Sequence, residues 1–210
     1  ENGHAFDFAR EGYLNLLAGS HKAGSSTGDS RAMALARRAF LERGYFAPLR
    51  DALADYIGKT PAGGAALDIC CGEGYYSAAL GAAEDGVYAF DLSKEMVRLA
   101  AKRGTAQCFV ANISAIPLAD ESVGMAIHLF APFHDAEFAR VLRREGTLLT
   151  VVPGRQHLMG MKEVLYDVPY ENDEAPPLSP SFVIAERWKV CTDAALESRE
   201  DIAALLHMTP

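Results

Sequence analysis

From Gly64 onward, short apolar runs alternate with amphipathic stretches, a pattern that predicts a parallel sheet with helices on its faces. The runs Ala65–Ile69, Gly86–Phe90, Ala106–Val110, Val123–Leu129 and Thr147–Val152 read as strands. Helices are expected near Tyr75–Ala82, Lys94–Lys102 and Asp135–Val141. Strands and helices in this order build a Rossmann-like, doubly wound α/β sheet with right-handed crossovers. Upstream, residues 18–30 (AGSHKAGSSTGDS) lack apolar periodicity and read as a loop. Asp29 or Ser30 then offers an N-cap for a helix from about Arg31 to Arg43, with Leu35, Ala39 and Phe40 roughly on one stripe. Gly44 ends it, and a second helix follows through Pro48, Leu49, Leu53 and Ile57. Downstream, the acidic, proline-rich residues 170–181 read as a loop, Phe182–Cys191 as a strand and Asp201–His207 as a last helix. The expected division is residues 1–60, an N-terminal loop with helices, leading into a core of residues 61–210.

A chain of 210 residues, half of them hydrophobic, suits one substantial α/β domain. No apolar run is long enough to span a bilayer and nothing resembles a signal peptide, so a cytoplasmic protein without a membrane partner is expected. The first residue is Glu1 rather than Met, which reads as a processed or trimmed start. Cys70, Cys71, Cys108 and Cys191 lack the spacing of a metal knuckle and are expected to be reduced thiols.

The net charge of −8 argues against a generally basic nucleic-acid binder. Its distribution is uneven: +2 over residues 1–50, −4 over 51–160 and −6 over 161–210. A polyanion would therefore meet the N-terminal third, where Arg37, Arg38, Arg43 and Arg50 lie. The plain alternative is that these arginines are the solvated face of a helix.

The main chemical signal is Ala66-Leu67-Asp68-Ile69-Cys70-Cys71-Gly72-Glu73-Gly74, a strand running into a glycine turn. Glycines let backbone approach a ligand where a Cβ would clash. Asp91 follows at the tip of the next strand, where an acid can accept hydrogen bonds from both ribose hydroxyls of an adenosine. A dinucleotide fingerprint needs G-x-G-x-x-G, and neither alignment on Gly72 supplies three glycines. Adenosylmethionine has no pyrophosphate and does not require that geometry.

The pattern D-x-x-C-G-x-G followed by a ribose-binding acid resembles motifs I and II of class I methyltransferases. That resemblance implies S-adenosylmethionine as cofactor, held by Asp68, Cys70, Gly72, Gly74, Tyr75, Asp91 and Leu92. Residues 110–120 resemble the family's third-strand region, so Asn112 would read the adenine amino group beside Ile113; a turn-forming role is the alternative for Asn112. Residues 137–146 (EFARVLRREG) resemble the family's approach to its fifth strand, departing at a proline and one glycine.

A narrower resemblance runs along nearly the whole chain. Residues 6–17 (FDFAREGYLNLL), Gly28-Asp29-Ser30, residues 36–41 (ARRAFL), Pro48-Leu49-Arg50, residues 72–76 (GEGYY), Ala131-Pro132, residues 153–158 (PGRQHL) and residues 205–210 (LLHMTP) resemble the ribosomal RNA guanine-N1 methyltransferases of the RlmA type. That family carries an N-terminal zinc ribbon; His4 fits its final ligand, but the matching thiolates are not in this sequence, so no metal is expected. The family also continues past a segment like Met208-Thr209-Pro210. Two departures stand out: Cys70 replaces the usual first glycine of motif I, and His128 stands where the family often has an Arg before the aromatic-Ala-Pro segment.

The resemblance implies methyl transfer to N1 of a guanine in 23S ribosomal RNA. That nitrogen carries a proton which an acceptor must remove. His128, His134 and Asp135 are the candidates, each with a structural alternative as a helix cap or core residue. Phe130 and Phe133 could stack on a splayed base, with core packing as the alternative, and Arg37, Arg38 and Arg155 could contact RNA or the cofactor carboxylate. The rival readings are a small-molecule methyltransferase and a non-catalytic adenosylmethionine-binding protein whose pocket Cys70 has damaged. A homodimer stays open.

Overall fold

The apolar runs pair side by side, all in parallel, as six strands among the residues described by the computed structural model: 6–17, 29–60, 62–81, 83–177 and 179–209. The strands are β1 (Leu14–Asn15), β2 (Ala65–Ile69), β3 (Val87–Asp91), β4 (Gln107–Val110), β5 (Val123–Leu129) and β6 (Leu142–Val151), in the spatial order β1-β4-β3-β2-β5-β6. The helices are α1 (Arg31–Glu42), α2 (Ala47–Lys59), α3 (Lys94–Arg103), α4 (Asp135–Val141), α5 (Met159–Leu165) and α6 (Arg199–Met208). This is the expected Rossmann-like architecture. From β2 the order runs one way through β3 and β4, and the other way through β5 and β6. Open sheets of this type bind ligands beyond the strand ends at such a reversal.

Burial explains why these runs take the centre. Every residue of β2 and β5 is buried, as strands covered on both faces require. One face packs Leu67, Ile69, Phe90 and Ala126 against Phe138 and Val141 of α4. The other packs Ala66, Met125 and Ile127 against Leu53 and Ile57 of α2. Ser30 caps α1 by accepting from the Met33 amide at 3.3 Å, and the helix buries Ala34, Phe40 and Leu41.

The bounds expected for β2, β5 and α4 are those found, and those for β3, β4, α1 and α3 differ by a single residue at one or both ends. Three expectations change. β6 starts at Leu142, well before Thr147, directly where α4 ends. The helix expected after the glycine turn is one 3₁₀ turn, Ser77–Leu80, closed by the Gly81 amide on the Ala78 carbonyl at 3.3 Å. Phe182–Cys191 is not a strand: Val183 and Ile184 are exposed, and Trp188 lies flat on Tyr56 with ring centroids 4.8 Å apart. Its β-branched composition favours a strand only where a ladder partner exists, and among the described residues none pairs with it. β1 and α5 have no sequence signal strong enough to predict them. Glu1, His4, Gly28 and residues 18–28 of the expected loop lie outside the described residues. All four cysteines are free, and no helix among the described residues is long and apolar enough to cross a membrane.

Candidate active site

The turn after β2 lies at the reversal of strand order. Three residues in it take left-handed backbone: Cys70 (φ 57°), Gly72 (φ 55°) and Gly74 (φ 82°). At Gly74 a Cβ would also come within 3.0 Å of Ala100 on α3, so glycine alone seats the turn against that helix. Cys70 holds the same kind of conformation with a side chain attached, which stores strain. The Cys71 amide donates to the Phe90 carbonyl at 2.9 Å and joins the turn to β3.

Two aspartates anchor this turn. Asp68 is fully enclosed and accepts from Ser77 Oγ at 2.6 Å; burial pushes its carboxyl up to about 7. Asp91, at the tip of β3, accepts from the Gly72 amide at 3.0 Å through one oxygen and from the Ser93 amide at 2.8 Å through the other. Burial raises its carboxyl above the ordinary range, against the pull of those two amides. The carboxylate therefore sits beside the glycine turn, in register with its backbone.

Arg37 reaches this turn from α1, its Cδ 3.9 Å from where a Cβ on Gly72 would stand. One terminal nitrogen donates to Asp29 at 3.3 Å and to the Met208 carbonyl at 3.1 Å, while its Nε is buried and has no partner. A buried guanidinium nitrogen without an acceptor is costly, and an anionic ligand group would satisfy it. Arg38 instead pairs along the helix with Glu42 at 2.8 Å. Tyr75 is buried; its hydroxyl accepts from Arg50 at 3.4 Å, and the guanidinia of Arg50 and Arg103 lie 5.4 and 5.9 Å from its ring centre. Leu92 is half-buried beside Asp91. Asn112 makes a turn, its Oδ1 accepting from the amide and the hydroxyl of Ser114, both at 3.0 Å. Ile113 packs against the core.

The tip of β5 adjoins the turn, with His128 opposite Ile69. The His128 ring is buried between Phe133 and Phe138, and its Nε2 lies 3.1 Å from the Pro132 carbonyl. A carbonyl only accepts, so Nε2 carries the proton and Nδ1 is an unprotonated, buried nitrogen without a partner. Burial lowers the His128 pKa, which keeps the ring neutral. Phe130 leaves the strand in left-handed backbone (φ 52°) and is 42% exposed, whereas Phe133 packs edge-on against Phe138 and Phe182. His134 caps α4 by position only, and its Nδ1 is buried without a partner. Asp135 accepts from Ser179 Oγ and, at 2.5 Å, from Ser181 Oγ; these bonds hold its carboxyl below the ordinary range, opposite to the direction a proton acceptor needs. Arg155 is exposed and pairs with Glu171 at 3.1 Å.

Three side chains that the sequence gives no reason to single out complete the region. Glu73, the variable position of the glycine turn, has a fully buried side chain held by Arg103 Nε at 2.7 Å, and its second carboxylate oxygen has no partner. Phe46 and His157 pack on Phe130. His157 belongs to the family-like segment 153–158, which by itself assigns the ring no role. Phe46 carries no signal because its position depends on the turn between α1 and α2.

The chain is similar to known proteins along much of its length. Residues 66–149 match the family model described as a methyltransferase domain, the stretch from β2 into β6. A 23S rRNA (guanine(748)-N(1))-methyltransferase of Streptomyces fradiae is 40% identical over 172 residues, covering 79% of this chain and 60% of the relative. A Bacillus subtilis protein provisionally named for a 23S rRNA guanine-N1 reaction is 34% identical over 178 residues, covering 79% and 61%. The chain thus spans about three fifths of the length of the curated relatives it matches. A Methanococcus maripaludis structure, provisionally described as an S-adenosylmethionine-dependent methyltransferase, superposes with a TM-score of 0.50 over 67% of this chain and 74% of the other; at 21% identity it speaks for the fold.

Proposed function

We propose that this chain is a methyltransferase that transfers the methyl group of S-adenosylmethionine to N1 of a guanine in 23S ribosomal RNA. The observation that carries the reading is the Asp91 carboxylate locked beside the Cys70–Gly74 turn, with the unpartnered Arg37 Nε over the same turn. An acid for ribose hydroxyls, an open glycine for close approach and a cation for a carboxylate suit the three parts of adenosylmethionine. The guanine-N1 assignment is supported by the 40% identity to the Streptomyces fradiae enzyme.

S-adenosylmethionine, when bound, supplies an electrophilic methyl on a sulfonium sulfur. The chain's own work is to hold the base in line, exclude water and take the N1 proton. Asp91 would hold the ribose and Arg37 the carboxylate of the methionine moiety. His128 shapes the Phe130–Phe133 loop through its bond to the Pro132 carbonyl rather than meeting the base. With Asp135 tied to Ser179 and Ser181 and His128 enclosed, His134 is our candidate for the proton acceptor. A ribosomal RNA substrate implies a cytoplasmic enzyme.

Calorimetric titration with adenosylmethionine, with NADH in parallel, tests the cofactor. Incubation with 23S ribosomal RNA fragments and labelled adenosylmethionine tests the substrate, read as 1-methylguanosine after nuclease digestion. Cofactor binding without RNA methylation would refute the substrate assignment. Arg155 engaged by Glu171, amid the acids of residues 171–174, favours a second reading, a small-molecule substrate. RNA binding that weakens steeply with salt would exclude it.

A further inference from the structure

β5 and β6 end side by side, with Leu129 opposite Val151 and the Phe130 amide donating to the Val151 carbonyl at 3.1 Å. Beyond those ends the two chains turn back toward each other. Phe130 does so at φ 52° and Leu158 at φ 58°, both left-handed and both carrying side chains. Strained backbone of this kind persists where the surroundings hold it, and it gathers at binding and catalytic sites. Here the two strained turns bring two rings together. Phe130 and His157 stack with centroids 5.5 Å apart and planes 19° from parallel. Phe46, just before α2, lies steeply inclined to both, its ring centroid 6.5 Å from that of Phe130 and 6.1 Å from that of His157.

We propose that this trio is a stacking platform for the substrate purine: Phe130 offers the accessible part of its ring to the base, and His157 and Phe46 are positioning residues that fix the Phe130 ring. The proposal rests on the guanine reading above and deepens it. Phe130 stays 42% exposed although Phe46 and His157 both pack on it, so part of the ring is accessible to a flat ligand. The platform stands directly after the β5 tip, whose neighbour is the glycine turn, and a base lying on it is within the crevice where the cofactor would lie. His157 is half-buried, and both its burial and the nearby Lys162 lower its pKa, so an uncharged ring backs Phe130 at neutral pH. Every base has a π-face, so the platform supplies affinity, and hydrogen bonds elsewhere must supply the choice of guanine.

The test uses the full chain with two readouts. Guanosine 5′-monophosphate is titrated while the Phe130 and His157 ring protons are followed by NMR, a reading that needs no methylation. Ring-proton shifts in the wild type that vanish in Phe130→Ala support the platform; no shifts at millimolar nucleotide overturn it. In methylation assays on the RNA fragment, Phe130→Ala should raise KM for RNA about tenfold, with adenosylmethionine affinity unchanged. Phe130→Tyr should stay near the wild type. Phe130→Leu, which keeps apolar volume, should resemble the alanine variant. His157→Ala should raise KM several-fold and His157→Phe should restore it. An unchanged KM in Phe130→Leu, or no restoration by His157→Phe, overturns the proposal. Nucleotide shifts in a protein that methylates no ribosomal RNA would keep the platform and overturn the substrate reading alone.

Discussion

The Asp91 carboxylate accepts the Gly72 amide at 3.0 Å, so the strand tip expected to hold the ribose also holds the turn proposed to form the rest of the cofactor cradle. Asp91→Asn keeps the size of the side chain but sets an amide where two backbone donors, Gly72 and Ser93, need acceptors. One donor must then lose its partner. A hydrogen bond to a charged group contributes about 1.5–3 kcal/mol. Adenosylmethionine affinity should accordingly fall by at least tenfold in calorimetry, with a lower thermal midpoint. Wild-type affinity in Asp91→Asn would mean that Asp91 serves the turn alone.

Cys70 occupies left-handed backbone at φ 57°, where the resembled family carries glycine. A side chain there costs about 1–2 kcal/mol, and glycine gives back part of that in chain entropy. Cys70→Gly should therefore stabilise the protein by up to about 1 kcal/mol and leave adenosylmethionine binding equal or tighter. The check is urea unfolding of both proteins beside a cofactor titration. Loss of stability in Cys70→Gly would show that the thiol packing outweighs the strain.

Glu73 has no exposure of its side chain and one oxygen without a partner, and Arg103 is the cation that grips the other. Arg103→Met should destabilise by about 3 kcal/mol, because it leaves a buried carboxylate unpaired. The double variant Glu73→Gln with Arg103→Met should recover most of that loss. Equal instability of the single and double variants would show that Arg103 acts through its guanidinium packed on Tyr75 rather than through its pairing with Glu73.

The parts of this site that are legible in the sequence are those carried by local pattern. Glycines after an apolar run mark a turn whatever surrounds it, and an acid after the next run marks the neighbouring strand tip, so chain order alone pairs the turn with Asp91. The rest depends on contacts between distant segments. Phe46 meets His157 only because the linker between α1 and α2 folds over the ends of β5 and β6. Arg37 and Met208 meet because α6 packs on α1. Asp135 reads as a free acid in the sequence, since nothing in its neighbourhood predicts that Ser179 and Ser181 return to it. The strand expected at Phe182–Cys191 fails for the same reason: its composition suits a strand, but a strand needs a neighbour, and local pattern does not supply one.

Asp68 gives the pH prediction. Its carboxyl stands at about 7 in the fold against an ordinary 3.8, with burial as the main cause and the Asp91 charge adding to it, while the Ser77 hydroxyl opposes. Between those values the folded protein holds a proton that the unfolded chain has released, so stability falls as pH rises through this window and levels off above it. The slope from this one group approaches about 1.4 kcal/mol per pH unit. His128 works in the other direction, since its lowered pKa makes the unfolded chain take up a proton first and removes stability as pH falls below its ordinary 6.5. Wild-type stability alone therefore mixes the two, and the difference from Asp68→Asn separates them. The asparagine carries a constant penalty for burying its amide but cannot ionise. Its stability relative to wild type should rise steadily from about pH 5 to about pH 7 and flatten above about pH 7.5, measured as urea midpoints across that range. A difference that does not change with pH would mean that Asp68 is ionised in the fold throughout, and that the environment around Ser77 and the glycine turn stabilises its charge.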